Sequence, residues 1–261
     1  MRRRAILAAL AVTALAGITV PAAYADDGTG DIQIDNVVVN GGKSIVVGTT
    51  DRTVTVSVTA SDPSGIWDAD FSLWRGPDGG DPYFDATDSI ATDQDTTPAD
   101  CVAASATTST CSKTFTFEPD WWQTNADAGT WKVEVQASAN DGSWTDRWAY
   151  GTTRLQRLSK LTVNASPEPV AKGQTLSVTG KLSRANWDSL DYRGYANQPV
   201  KLQFRKAGST TYSTVKTVYT SSTGGLSTTA TAAEDGYWRW YFTGTSTTPA
   251  VKASGDYVDV Q

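Results

Sequence analysis

The sequence predicts an all-β protein built from antiparallel β-sandwiches. Three C-terminal runs carry this reading: GQTLSVTGKLS (173–183), QPVKLQFRKAG (198–208) and DGYWRWYFTGTS (235–246). Each alternates apolar with polar residues and is bounded by Gly, Asn, Asp or Ser, as expected of strands with one solvated face. The same period of two recurs in the first half. In RTVTVSVTA (52–60), Val54, Val56 and Val58 face one way and the threonines the other.

The first residues read as a cleaved leader. Arg2, Arg3 and Arg4 precede an apolar stretch from Ala5 to Val20, and Ala23-Tyr24-Ala25 fits a small-x-small cleavage site. This signal peptide spans 1–25, so the mature chain is expected to begin at Asp26. The apolar run is too short for a membrane span, and none is expected elsewhere. The chain carries a net charge of −6. Removing the leader leaves 19 basic against 28 acidic residues and no histidine. Such a surface disfavours nucleic acid and anionic membrane as partners. The expected location is secreted and extracellular. In that oxidising compartment Cys101 and Cys111 are expected to pair with each other, since no CxxC spacing points to redox chemistry.

Asp26–Gly30 is expected to be unstructured. Strands are predicted over 31–39, 43–47 and 52–60, then a turn at SDPSG (61–65), where Asp caps, Pro presets φ and Gly accepts positive φ. Ile66 to Arg75 resumes as a strand, with Trp67, Phe71, Leu73 and Trp74 as its large side chains and both tryptophans in the core. Gly76 to Asp100 reads as a long loop rich in Asp and Gly, of a length usually tied to function or disorder. Strands return at 113–117, with Phe115 and Phe117 on one face, and at 129–137, with Trp131, Val133, Val135 and Ala137 inward. A helical turn is expected within 120–127, and two strands at 144–150 and 152–158. A first domain then covers 26–157 and a second 158–261, with almost no linker between them. Leu161–Val170 is the first strand of the second domain, marked as an edge by Pro167 and Pro169.

The runs VTASDPSGI (58–66) and AGTWKVEVQASANDG (128–142) resemble bacterial immunoglobulin-like modules. So do KGQTLSVTG (172–180), QPVKLQF (198–204) and GYWRWYFTG (236–244). The arrangement is also similar to a group of secreted actinobacterial two-domain proteins, some of them described as calcium-binding. The resemblance implies two tandem immunoglobulin-like antiparallel β-sandwich domains. It implies no particular activity, because such sandwiches host many unrelated roles.

Absences narrow the chemistry. Without histidine there is no Ser-His-Asp or Cys-His nucleophile, no His-ligated zinc and no His base. Asp78, Asp81, Asp85 and Asp88, followed by Asp93, Asp95 and Asp100, form an acid-rich segment that would suit calcium if the loop curled them together. Trp122, Trp187, Tyr192 and Tyr195 are candidates for a stacking platform. The expected function is a non-enzymatic binding or scaffolding protein of the extracellular or envelope space, with an extracellular protein or a glycan as partner. The alternatives are a calcium-binding protein using the Asp78–Asp100 loop and a carbohydrate-binding module. A glycoside hydrolase is the weakest reading: only four glutamates are present, and nothing places two acids around a cleft.

Overall fold

The computed structural model describes residues 27–92, 97–121 and 123–261. The leader, Asp26, Asp93, Asp95 and Trp122 lie outside these. The described residues are all-β and stack as two-layer sandwiches, with strands numbered in chain order. In the first sandwich one sheet has the order β1 (Asp27–Thr29), β10 (Trp144–Arg157), β9 (Gly129–Ala139), β5 (Ile66–Arg75) and β6 (Asp88–Ala91). A short β3 (Ile45–Val47) lies parallel to the end of β10. The facing sheet has the order β2 (Gln33–Val39), β4 (Arg52–Ser61), β8 (Thr108–Phe117) and β7 (Asp100–Ala103). Val54, Val56, Phe115 and Phe117 from one sheet meet Phe71, Leu73, Trp131 and Val133 from the other.

The second sandwich is arranged around β13 (Thr175–Asn186), which pairs with β11 (Ser159–Leu161), β12 (Asn164–Ser166), β14 (Asp191–Gly194) and β17 (Gly225–Thr231). Its other sheet runs β16 (Ser213–Tyr219), β15 (Pro199–Lys206) and β18 (Gly236–Phe242). Short β19 (Val251–Lys252) and β20 (Asp256–Val258) close the far side. Trp238, Trp240 and Phe242 fill the core with Leu176, Val178, Leu182, Val200 and Leu202. The alternate set Tyr237, Arg239 and Tyr241 therefore faces outward.

Several elements differ from the expectation. Asp27–Thr29 is a strand, because it finds an open edge at Trp144–Asp146 of β10. The acid-rich loop contains β6, paired with Ser72–Arg75. The two strands expected across 144–158 are one, interrupted by a bulge between Arg147 and Gly151. The helical turn is confined to Asn125–Asp127. Trp67 is not core. A bulge between Ile66 and Asp68 shifts the alternation of β5, so Ile66 turns inward and Trp67 outward, 48% exposed. Trp74 is buried on the outer face of its sheet, beneath the loop that follows it.

The cysteines form a disulfide between Cys101 on β7 and Cys111 on β8, which are register partners. The passage between the sandwiches is short and heavily bonded. β10 ends at Arg157 and β11 starts at Ser159. The Leu158 amide donates to the Val47 carbonyl at 2.8 Å. The Arg157 guanidinium donates through Nε to the Ala185 carbonyl at 2.6 Å. Burial, with Arg184 nearby, pushes Arg157 down to about 10.

Candidate functional site

The outer face of the six-stranded sheet carries the most unusual set of side chains. Register places Asp70, Gln136 and Asp146 in one row across β5, β9 and β10, and Ser72 beside Glu134 in the next. Outward positions normally meet water, yet Glu134 and Asp146 are buried. The cover is the loop after β5. Gly76 permits its first bend, since a Cβ there would sit 2.6 Å from the Trp74 ring and 2.8 Å from the Asp85 carbonyl. Gly79 supplies a positive φ of 77°. Asp81 and Asp85 then build a compact turn. The Asp85 amide donates to the Asp81 carbonyl at 2.8 Å, and the Asp81 amide to the Asp85 carboxylate at 2.9 Å. The Asp81 carboxylate accepts from the Tyr83 amide at 2.7 Å.

This turn aims Tyr83 at the sheet. Its hydroxyl lies 2.8 Å from Glu134 Oε1 and 3.2 Å from Asp146 Oδ2, and it accepts from Gln136 Nε2 at 2.6 Å. Ser72 donates to the other oxygen of Glu134. A single phenolic proton thus faces two carboxylates. Burial raises both acids above the usual carboxylate range, and the Asp146 charge adds to the effect on Glu134. Burial and the same carboxylates push the tyrosine up. The arrangement holds a proton and clamps a loop. Glu134 and Tyr83 also line a small pocket of about 230 Å³ with Asp70, Ser72 and Gln136.

Beside this clamp the same face opens. Trp67, Gln136, Ser138, Ser143 and Trp144 line a groove of about 320 Å³. Trp144 is 39% exposed, and its register partner on β9 is Ser138, which also follows the Trp67 bulge. The two indoles therefore stand on strands flanking β9, with backbones about 10 Å apart at ordinary strand spacing. Gln136 forms the wall between this groove and the clamp.

The residues expected to form sites are dispersed. Asp78 pairs with Lys132 at 3.4 Å. Asp81 and Asp85 serve their own turn, and Asp88 faces Asp127, whose proximity together with burial raises it. The expected convergence of Asp78, Asp81, Asp85 and Asp88 does not form. Among the described residues no group of three acids is placed to hold a metal ion. Trp187 is no platform: it is 1% exposed, packed into the first core, and donates from Nε1 to the Gly48 carbonyl at 2.8 Å. Tyr192 and Tyr195 are partly buried and have cations on their rings, Lys160 at 3.4 Å and Arg184 at 3.9 Å. Trp122 lies outside the described residues. The sequence does hold a signal for the groove. Trp144, Asp146 and Trp148 alternate along β10, and a carboxylate on that face marks it as outward.

No protein-family model matches the chain, and no curated protein matches its sequence. Solved structures align over most of its length. The dimeric latent PorU of Porphyromonas gingivalis is 12% identical with a TM-score of 0.28, over 88% of this chain and 20% of PorU. The chain thus spans a small part of that protein. Three N-terminal domains of the outer capsid protein Hoc of bacteriophage RB49 give 12% identity and a TM-score of 0.30, over 88% of this chain and 71% of that one. The D00–D0 domain of intimin gives 12% and 0.27, over 85% and 99%. The class assigned here, an all-β protein of two sandwiches with an aromatic-flanked groove, rests on the sheets and side chains described above.

Proposed function

We propose that the chain is a secreted, non-enzymatic binding protein that takes a glycan into the groove between Trp67 and Trp144. The indole pair carries the reading. Two large apolar faces stay exposed over a floor of Gln and Ser, where stacking and hydrogen bonding combine. Support for secretion comes from the leader-like N-terminus and from the disulfide. Support for binding without catalysis comes from Glu134 and Asp146 both facing the Tyr83 hydroxyl, which commits them to holding the loop. Affinity electrophoresis against soluble neutral glucans, mannans and chitooligosaccharides tests it. Trp67→Ala and Trp144→Ala should each abolish retardation while shifting stability by less than about 0.5 kcal/mol, as surface substitutions do. Trp121→Ala, which removes an exposed indole elsewhere, should leave retardation intact. Equal retardation of the parent and both groove variants would refute the proposal.

A further inference from the structure

The outward face of the second sandwich's β15–β18 sheet carries cations without an ion pair among the described residues, with Asp235 and Asp259 near Tyr257 at its end. Three rows cross it. Lys201 lies beside Tyr241, which lies beside Lys252; Gln203 lies beside Arg239; Arg205 lies beside Tyr237, which lies beside Tyr257. Among the described residues Lys201, Arg205, Arg239 and Lys252 form no ion pair. The arginines are ordered by tyrosines instead. Arg239 sits 3.5 Å from the Tyr212 ring centre and Arg205 4.0 Å from that of Tyr237. Gln203, buried on this face, accepts from Arg239 Nε at 2.9 Å.

Stacking occupies the flat faces of the guanidinium groups; Arg205 Nη1 donates to the Ser209 carbonyl and Arg239 Nε to Gln203, and the remaining in-plane N–H donors can meet an oxyanion. The ordering entropy is already met by the tyrosines, so a ligand finds the donors in place. Lys201 and Arg205 are four residues apart on one strand and so about 13 Å apart, with Arg239 alongside the midpoint. A cation thus occurs in every row along the strand direction, a spacing suited to a linear chain bearing repeated negative groups. The surrounding sequence strengthens the field. Residues 158–261 hold 11 basic and 7 acidic residues in a chain whose net charge is −6.

We propose that this face is a second binding site, separate from the indole groove, and that it takes an anionic polysaccharide whose sulfate, phosphate or carboxylate groups meet Lys201, Arg205, Arg239 and Lys252. The probe is dextran sulfate, titrated against the full chain at rising salt, with neutral dextran and inorganic polyphosphate alongside. Dextran sulfate should bind at low salt and weaken as salt rises. The Lys201→Gln/Lys252→Gln variant leaves the arginine–tyrosine stacks intact and should lose about tenfold or more in affinity. Arg239→Lys keeps the charge but not the planar fork and should lose a smaller part. Trp67→Ala/Trp144→Ala should bind dextran sulfate as the parent does. Parent-like affinity in the lysine variant overturns the proposal, as does equal binding of neutral dextran or preference for polyphosphate over the sulfated sugar. Loss of dextran sulfate binding in the indole variant would also overturn it. So would self-association in sedimentation that the lysine variant abolishes, which would make a second copy the occupant.

Discussion

The two sandwiches share an architecture and differ in what they do with charge. Residues 26–157 hold 8 basic and 21 acidic residues, against 11 and 7 in residues 158–261. In the first sandwich many carboxylates are consumed locally. Asp62, Asp81 and Asp141 accept backbone N–H bonds within their own turns, and Asp127 accepts from the Thr124 amide. Glu134 and Asp146 are buried. The second sandwich builds comparable turns from hydroxyls, such as Ser221 accepting from the Gly225 amide at 3.0 Å. Several of its cations, among them Arg205, Arg239 and Lys252, sit over tyrosine rings and form no ion pair among the described residues. Acid count is therefore a poor guide to a metal site, because a turn uses an Asp as readily as an ion does. Charge that the turns do not use is the better pointer to a ligand.

The largest test of this division is Trp187, which belongs to the second half of the sequence and fills the first core. Its amide accepts no separate role: it donates to Asn125 Oδ1 at 3.0 Å, and Asn125 in turn donates from Nδ2 to Asn186 at 2.6 Å. Trp187→Ala should cost about 3–5 kcal/mol, as for buried large aromatics. In urea a single unfolding transition should become two, because the first sandwich loses core volume and the indole bond to the Gly48 carbonyl, while the backbone bond to Asn125 remains. A single transition with unchanged midpoint would show that the sandwiches are independent of this plug.

Next in size is the disulfide. Cys101 and Cys111 close a ten-residue separation at the outer edge of the four-stranded sheet. Cys101→Ser/Cys111→Ser should cost about 3 kcal/mol in the chain-entropy account. The loss should fall on the first sandwich, read from near-ultraviolet changes at Trp131, and the second sandwich contains no counterpart.

How much of this was legible depends on distance along the chain. Alternation of period two located β4, β9 and β18, placed Val54 with Val56 and Phe115 with Phe117 on shared faces, and identified the inward face of Trp131, since each strand carries its own pattern. Trp67 was misread because one bulged residue reverses parity locally, and nothing adjacent in sequence announces it. Trp187 was misread for another reason. Its partner Gly48 is 139 residues away, so a loop-like tryptophan gives no local sign of being a plug. The aspartates of the long loop were seen as a cluster, but spacing cannot distinguish carboxylates that cap their own turn from carboxylates that converge. Tyr83 shows the same limit, because its role exists only once Glu134 and Asp146 are brought beneath it.

The smallest effect, and the most specific to the first sandwich, is its dependence on pH. In the unfolded chain Glu134 and Asp146 titrate in the ordinary carboxylate range, and in the folded chain burial moves both upward. The folded state therefore keeps a proton that the unfolded state has released. The stabilisation is fully present below the ordinary range and is lost as pH rises through the raised folded values. Glu134→Gln offers an amide oxygen to the Tyr83 hydroxyl and an amide N–H to Ser72, so the clamp persists without the charge. Its melting temperature should fall less from acid to neutral pH than that of the parent, because only Asp146 of the pair still titrates from its raised position, and the two curves should meet at the acid end. The second sandwich has no buried carboxylate of this kind among its described residues, so an equal fall in both proteins would place the titration elsewhere. Parallel curves would mean that Tyr83 tolerates two ionised neighbours and that the clamp holds no proton.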